Sequence, residues 1–228
     1  MVQGPFAFCF SFCFFSMLSL SDWKVLLEEE CKKEYFLALS SFLEKEISQN
    51  KKIFPPVSEI FAFDLCSFDD VKVVILQDPY HGPQAMLSFS VPVVKKPPSL
   101  LNIFKELRND IGCAIPDCDL SDRARQVFLL NSILTVEASL AASHRCQREK
   151  FTDAVISLLS TKKEVIFLLW SHAQSKRVLI DEKKHSVLCC VHPSPLSAYR
   201  WFGSKPFSQT NDLLVSYGHE PIHWCLSC

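Results

Sequence analysis

The chain has 228 residues, 48% of them hydrophobic and 21% charged, with a formal net charge of −1. That balance excludes a disordered chain and a globally basic nucleic-acid binder, and the length suits one domain with one sizeable core. Glycine is scarce: five are present where average usage would give roughly sixteen.

Residues 5–20 (PFAFCFSFCFFSMLSL) form an apolar, uncharged run. It is shorter than the roughly 20 residues needed to span a bilayer. No Lys or Arg precedes it, and no small-residue cleavage site is clear. The expectation is a leader over 1–20, of undecided role, ahead of one domain over 21–228, with no membrane as partner.

Residues 21–49 place Trp23, Leu26, Leu27, Tyr35, Phe36, Leu39, Phe42 and Leu43 at helical spacing, with charges between them. Pro55-Pro56 ends this region. Residues 71–76 (VKVVIL) are a nearly continuous aliphatic run, the mark of a strand buried on both faces of a parallel sheet. Residues 127–130, 164–170 and 186–191 have the same character. Helical patterns separate the runs near residues 99–110, 148–160, 172–180 and 207–217. The alternation predicts an α/β single domain, with a central four-stranded, mainly parallel sheet and helices on both faces.

Eleven cysteines, an odd and scattered set, suit free thiols in a reducing compartment better than a disulfide framework. His219, His223, Cys225 and Cys228 bring zinc-ligand types together, but no zinc scaffold surrounds them, and no metal site is expected. Between His172 and Lys205, Lys176, Arg177, Lys183, Lys184, Arg200 and Lys205 stand against Asp181 and Glu182.

Ligands of such sheets bind beyond the carboxyl ends of the strands. Those ends carry Gln77-Asp78-Pro79-Tyr80-His81, Asn131, Ser171, and His192-Pro193-Ser194-Pro195-Leu196. Every run is followed at once by groups able to hydrogen-bond. An Asp and a His there suit a hydrolase. Ser88, Ser171 and Ser194 lack a G-x-S-x-G elbow, however, and the strand ends lack the clustered ligands of a metal hydrolase.

QDPYHGP (77–83), LSFSV (87–91), PPSLLNIFKEL (97–107), LLNSILTV (129–136), FLLW (167–170) and HPSPLSAYRWFG (192–203) resemble the family-1 uracil-DNA glycosylases, from about Trp23 to Trp224. The resemblance implies a glycosylase-like fold and a DNA base-excision repair enzyme without metal or cofactor. Such an enzyme flips uracil out of DNA and hydrolyses its N-glycosidic bond, leaving an abasic site. Asp78 would stabilise the cationic sugar and orient water, and His192 would donate to uracil O2. Gln77 would add a hydrogen bond, Phe89 would stack on the base, Asn131 would read its edge, and Tyr80 would exclude the thymine methyl. Ser99, Ser171, Ser194 and Ser197 would hold phosphates, and Leu196 would fill the vacated stack. The implied partner is uracil-containing single- or double-stranded DNA, met by a monomer in the nucleus or, alternatively, the mitochondrion. The basic stretch 172–205 would then face DNA.

The departures from the family are mostly glycine. None stands between Leu76 and Gln77 or between Trp170 and Ser171, and residues 84–86 replace a longer loop. Glycine serves positive φ or close approach to a ligand, so its loss beside Gln77 bears on where Asp78 sits. The alternative reading is therefore a catalytically impaired DNA-binding protein of the same fold.

Overall fold

The computed structural model describes residues 21–77, 97–113, 127–140 and 143–225. Asp78, Tyr80 and Phe89, like the leader, lie outside the described residues.

Helix α1 (Ser21–Cys31) and helix α2 (Glu34–Ser48) open the domain. Their apolar positions recur at helical spacing, and Trp23, Leu27, Phe36 and Leu43 are buried on one side. The Trp23 indole donates to the Cys66 carbonyl at 2.7 Å, so the wide ring is buried with its one polar group satisfied.

Four strands make the central sheet: β2 (Val73–Gln77), β3 (Phe128–Asn131), β5 (Ile166–Trp170) and β6 (Ser186–Cys190). The spatial order is β3-β2-β5-β6, and every neighbouring pair is parallel. Helices α3 (Pro98–Ile111), α4 (Arg145–Leu159) and α6 (Pro206–Ser216) supply crossovers and covering layers. The strand period of two divides the core. Val74, Leu76, Phe128, Leu130, Phe167 and Leu169 pack with α1, α2 and α4. Val73, Ile75, Leu129, Ile166, Leu168 and Trp170 pack with α3 and α6. Both faces of β2, β3 and β5 are therefore dry, which is why their sequences show no polar alternation. β6, at the sheet edge, is mostly half-exposed.

A second sheet was not foreseen. β1 (Ile53–Phe54) pairs antiparallel with β4 (Val136–Glu137), and two residues per strand are too few to show a period. The stretch after β5 is a 3₁₀ helix, Ser171–Leu179, and a short helix α5 (Ala198–Trp201) follows β6. Among the described residues, no helix is long and apolar enough to cross a membrane.

One expectation fails for a pair of cysteines. Cys113 and Cys225, 112 residues apart in sequence, form a disulfide. Cys113 follows Gly112, whose left-handed conformation (φ 69°) ends α3, and the bond joins this turn to the segment after Trp224. Sequence spacing gave no sign of the juxtaposition, because it depends on how α3 and the tail meet. Cys31, Cys66, Cys189 and Cys190 are free thiols, as expected. The bond also occupies Cys225, one of the four tail residues with metal-ligand character; Cys228 lies outside the described residues.

Candidate active site

Strands β2 and β3 end together. Gln77 pairs with Asn131 in the parallel register, so their side chains leave the same face at the same height. The Gln77 carbonyl accepts from the Ser132 N–H at 2.7 Å, and the Ser132 carbonyl accepts from the Thr152 hydroxyl of α4 at 2.6 Å. Helix α4 thereby fixes the end of β3. Gln77 is 1% exposed and Asn131 8%. Both polar atoms of the Gln77 amide are buried with no hydrogen-bond partner among the described residues. Left unmet, a buried polar group costs about 1–3 kcal/mol. A ligand with matching polar edges turns that cost into binding.

His192 stands just beyond β6. Its Nδ1 accepts the backbone N–H of Ser194 at 3.1 Å. Accepting there uses the Nδ1 lone pair and leaves Nε2 as the ring nitrogen able to donate. The loop that holds it is bound to itself. Ser197 Oγ donates to the His192 carbonyl at 2.5 Å, the Ser197 N–H donates to the Ser194 carbonyl at 3.0 Å, and the two hydroxyls lie 3.1 Å apart. Pro193 is buried, whereas Leu196 is 91% exposed. A leucine held outward on a turn braced by two prolines is the shape a wedge requires. β5 lies between β2 and β6, so the strand that leads to His192 runs about 10 Å from the strand that ends in Gln77.

Ser99 lies in the first turn of α3 and is nearly buried, where the helix dipole favours an anion. Ser171 takes left-handed backbone, φ 56°, directly after Trp170. The missing glycine has therefore left its conformation behind: Ser171 makes the positive-φ turn that glycine makes without a Cβ penalty. At the other gap, β2 runs without a break through Leu76 to Gln77.

The basic stretch is corrected. Lys176 is buried and bound to Asp153 at 2.6 Å and to Glu149, both of α4. Arg177 pairs with Glu182 at 2.6 Å, and Lys184 with Asp181 at 3.0 Å. These cations hold local structure, and only their count showed in the sequence. Arg200 and Lys205 are exposed on the segment after the Leu196 loop.

Three residues of α3 were missed: Asn102, Glu106 and Asp110. Glu106, fully buried, accepts the Gly203 N–H at 2.9 and 3.0 Å and the Lys205 N–H at 3.0 Å. Asp110 accepts the Phe207 and Ser208 N–H groups at 3.0 Å each, capping α6. The signal was present as polar residues spaced by four on a helix with an otherwise apolar face.

For metal, Glu46, Glu137 and His144 bring ligand atoms within 4.8 Å of one another. The Lys51 ammonium lies 2.8 Å from Glu46 and 3.4 Å from Glu137, supplying the cation itself. This group belongs to the α2–β4 side, away from the strand ends.

A family model described as the uracil DNA glycosylase superfamily matches residues 63–215. A uracil-DNA glycosylase of Sulfurimonas denitrificans is 52% identical over 217 residues, covering 90% of this chain and 97% of that protein. One of Vibrio campbellii is 50% identical over 222 residues, covering 92% and 98%. Among solved structures, mimivirus uracil-DNA glycosylase gives a TM-score of 0.85 at 29% identity, over 99% of this chain and 95% of that one. A mimivirus UNG variant in complex with UGI gives 0.88 at 30% identity, over 96% and 94%. Both curated relatives are bacterial, and bacteria have neither nucleus nor mitochondrion. The expected nuclear location, with its mitochondrial alternative, is therefore withdrawn. Strand order, strand-end chemistry and half-identical relatives along nine-tenths of its length agree, and the chain belongs to the uracil-DNA glycosylase superfamily.

Proposed function

We propose that the chain is a DNA repair glycosylase that releases free uracil from DNA and leaves an abasic site, with the strand-end residues dividing the work. The observation that carries this reading is the dry, hydrogen-bond-hungry amide of Gln77, set rung to rung with Asn131. A uracil edge offers an acceptor at O4 and a donor at N3, and the Asn131 amide supplies one complement to each. Cytosine presents the reverse and leaves both unmet, a mismatch that gives discrimination of about 10⁴ or more. Phe89 stacks on the ring and Tyr80 closes the space beside C5.

Cleavage breaks the bond between C1′ and N1, and the electron pair leaves with uracil. His192 Nε2–H, the proton position fixed by the Ser194 contact, donates to O2 as negative charge grows there. The Asp78 carboxylate faces the cationic sugar. Water adds its oxygen to C1′, and its proton passes to Asp78. Leu196 holds the vacated stack open, while Ser99, Ser171, Ser194 and Ser197 grip flanking phosphates. The partner is uracil-containing DNA, single- or double-stranded, met by a monomer whose own Gln77, Asn131 and His192 make up the site. The reading takes 21–228 as the glycosylase domain, supported at its start by Trp23 and Leu27 of α1 in the core, and keeps residues 1–20 as a leader of undecided role.

Uracil release from a single-uracil oligonucleotide, measured beside the Asp78→Asn variant, tests the reading. Release by the parent chain that falls about 10²-fold or more in the variant supports it. Binding without release, unchanged by Asp78→Asn, would establish the impaired DNA-binding protein instead.

A further inference from the structure

Helix α3 presents Asn102, Glu106 and Asp110 at steps of four, and all three reach the chain that follows β6. Glu106 and Asp110 hold residues 203–208. Asn102 reaches further back: its Nδ2 donates to the Pro193 carbonyl at 2.8 Å. The backbone of the same residue is also engaged, its carbonyl accepting from the buried Trp201 indole at 3.2 Å. Residue 102 therefore grips the wedge segment on both sides of Leu196. The bonds from Ser194 to His192 and from Ser197 to His192 and Ser194 stay inside the loop. They shape it without fastening it to the domain.

We propose that Asn102 is a positioning residue for the wedge: its bond to Pro193 sets the height and direction at which Leu196 leaves the surface. The inference rests on reading Leu196 as the wedge. A side chain pressed into a base stack pushes back on its own loop, and a turn shaped only from within would yield. Anchoring the Pro193 carbonyl to a fourteen-residue helix packed on the sheet transfers that load to the core. Placement matters steeply, since an error of about 1 Å can cost about 10²-fold in rate. The load exists only when a duplex must be opened. A single strand presents no stack to be held apart, so the demand on Asn102 is far smaller there.

The test is single-turnover uracil release from matched duplex and single-stranded substrates by the parent, Leu196→Ala, Asn102→Ala and the double variant. Asn102→Ala should slow the duplex reaction about 10-fold more than the single-strand reaction. On duplex, the double variant should be no slower than Leu196→Ala alone, because the two residues act through one event. Equal slowing on both substrates, an unchanged duplex rate, or losses that multiply in the double variant would each overturn the proposal. Asn102→Asp keeps the side-chain size and removes the donor, so the same duplex-selective defect is expected from it. Retained single-strand turnover shows that Asn102→Ala and Asn102→Asp are folded. Leu196→Ala separates the two layers of argument. If it too slows both substrates equally, the wedge reading fails and takes the proposal with it; if it is duplex-selective and Asn102→Ala is not, the positioning role alone fails.

Discussion

Gln77 and Asn131 form the last rung of the β2–β3 ladder, both carrying an amide and both nearly out of reach of solvent. Two amides at one height on one sheet face make a recognition edge with donors and acceptors in fixed places. Replacing Asn131 with Leu keeps the volume and removes the polar pattern. Single-turnover release of uracil should fall by about 10²-fold or more, because the base then loses both of its edge bonds on leaving water.

The Ser194 N–H pins the proton of His192 to Nε2. His192→Leu should therefore lower turnover by about 10²–10³-fold while DNA affinity changes little, since the donated bond matters most as charge develops on uracil. Equal losses in turnover and in affinity, measured by titration with uncleavable DNA, would remove the role assigned to the imidazole.

Ser171 stands in left-handed backbone, a state that costs a residue with a Cβ about 1–2 kcal/mol. Ser171→Gly should raise the unfolding free energy by about 0.5–1 kcal/mol, the relief being partly offset by the greater freedom of glycine in the unfolded chain. The same change deletes a hydroxyl proposed to hold a phosphate, so DNA binding should weaken as stability rises. Urea melts and titrations on one protein sample read both.

Asp22 links α1 to the turn at 67–68. Burial alone would raise its carboxyl, but hydrogen bonds from the Ser67 hydroxyl at 2.8 Å and from the Phe68 and Trp23 N–H groups at 2.7 and 2.9 Å outweigh it and hold the group below 3.8. A depressed carboxyl stabilises the fold above its unfolded value, and the benefit is lost as pH falls through the folded value. Asp22→Asn should destabilise the protein at pH 7 by about 1 kcal/mol after solvent screening. The gap between variant and parent should close below pH 3.8, as followed by urea melts across pH.

The four main strands were legible because three of them, β2, β3 and β5, are dry on both faces and spell themselves as aliphatic runs, and the half-exposed edge strand β6 keeps the same apolar character in Val187 and Leu188. The strand-end residues followed from that placement together with the motif resemblance. What escaped had no local spelling. The β1–β4 pair is two residues long on each side, and the Cys113–Cys225 pair depends on where the tail meets α3. Lys176 reads as one more surface cation until Glu149 and Asp153 of α4 are brought under it. Asn102 is an unremarkable polar residue in PPSLLNIFKEL until the loop carrying Pro193 is laid across it. In each case the information sits in a partner distant in sequence.

The order of strands has a bearing on synthesis. The proposed site draws on residues 77, 131 and 192, and the strand leading to the last of these pairs with β5, itself the neighbour of β2. A polypeptide still emerging from the ribosome thus holds the Gln77 and Asn131 amides long before it holds the His192 imidazole. On the proposed assignment, a nascent chain gains the last member of this site only at residue 192 of 228, together with the edge strand that completes the sheet.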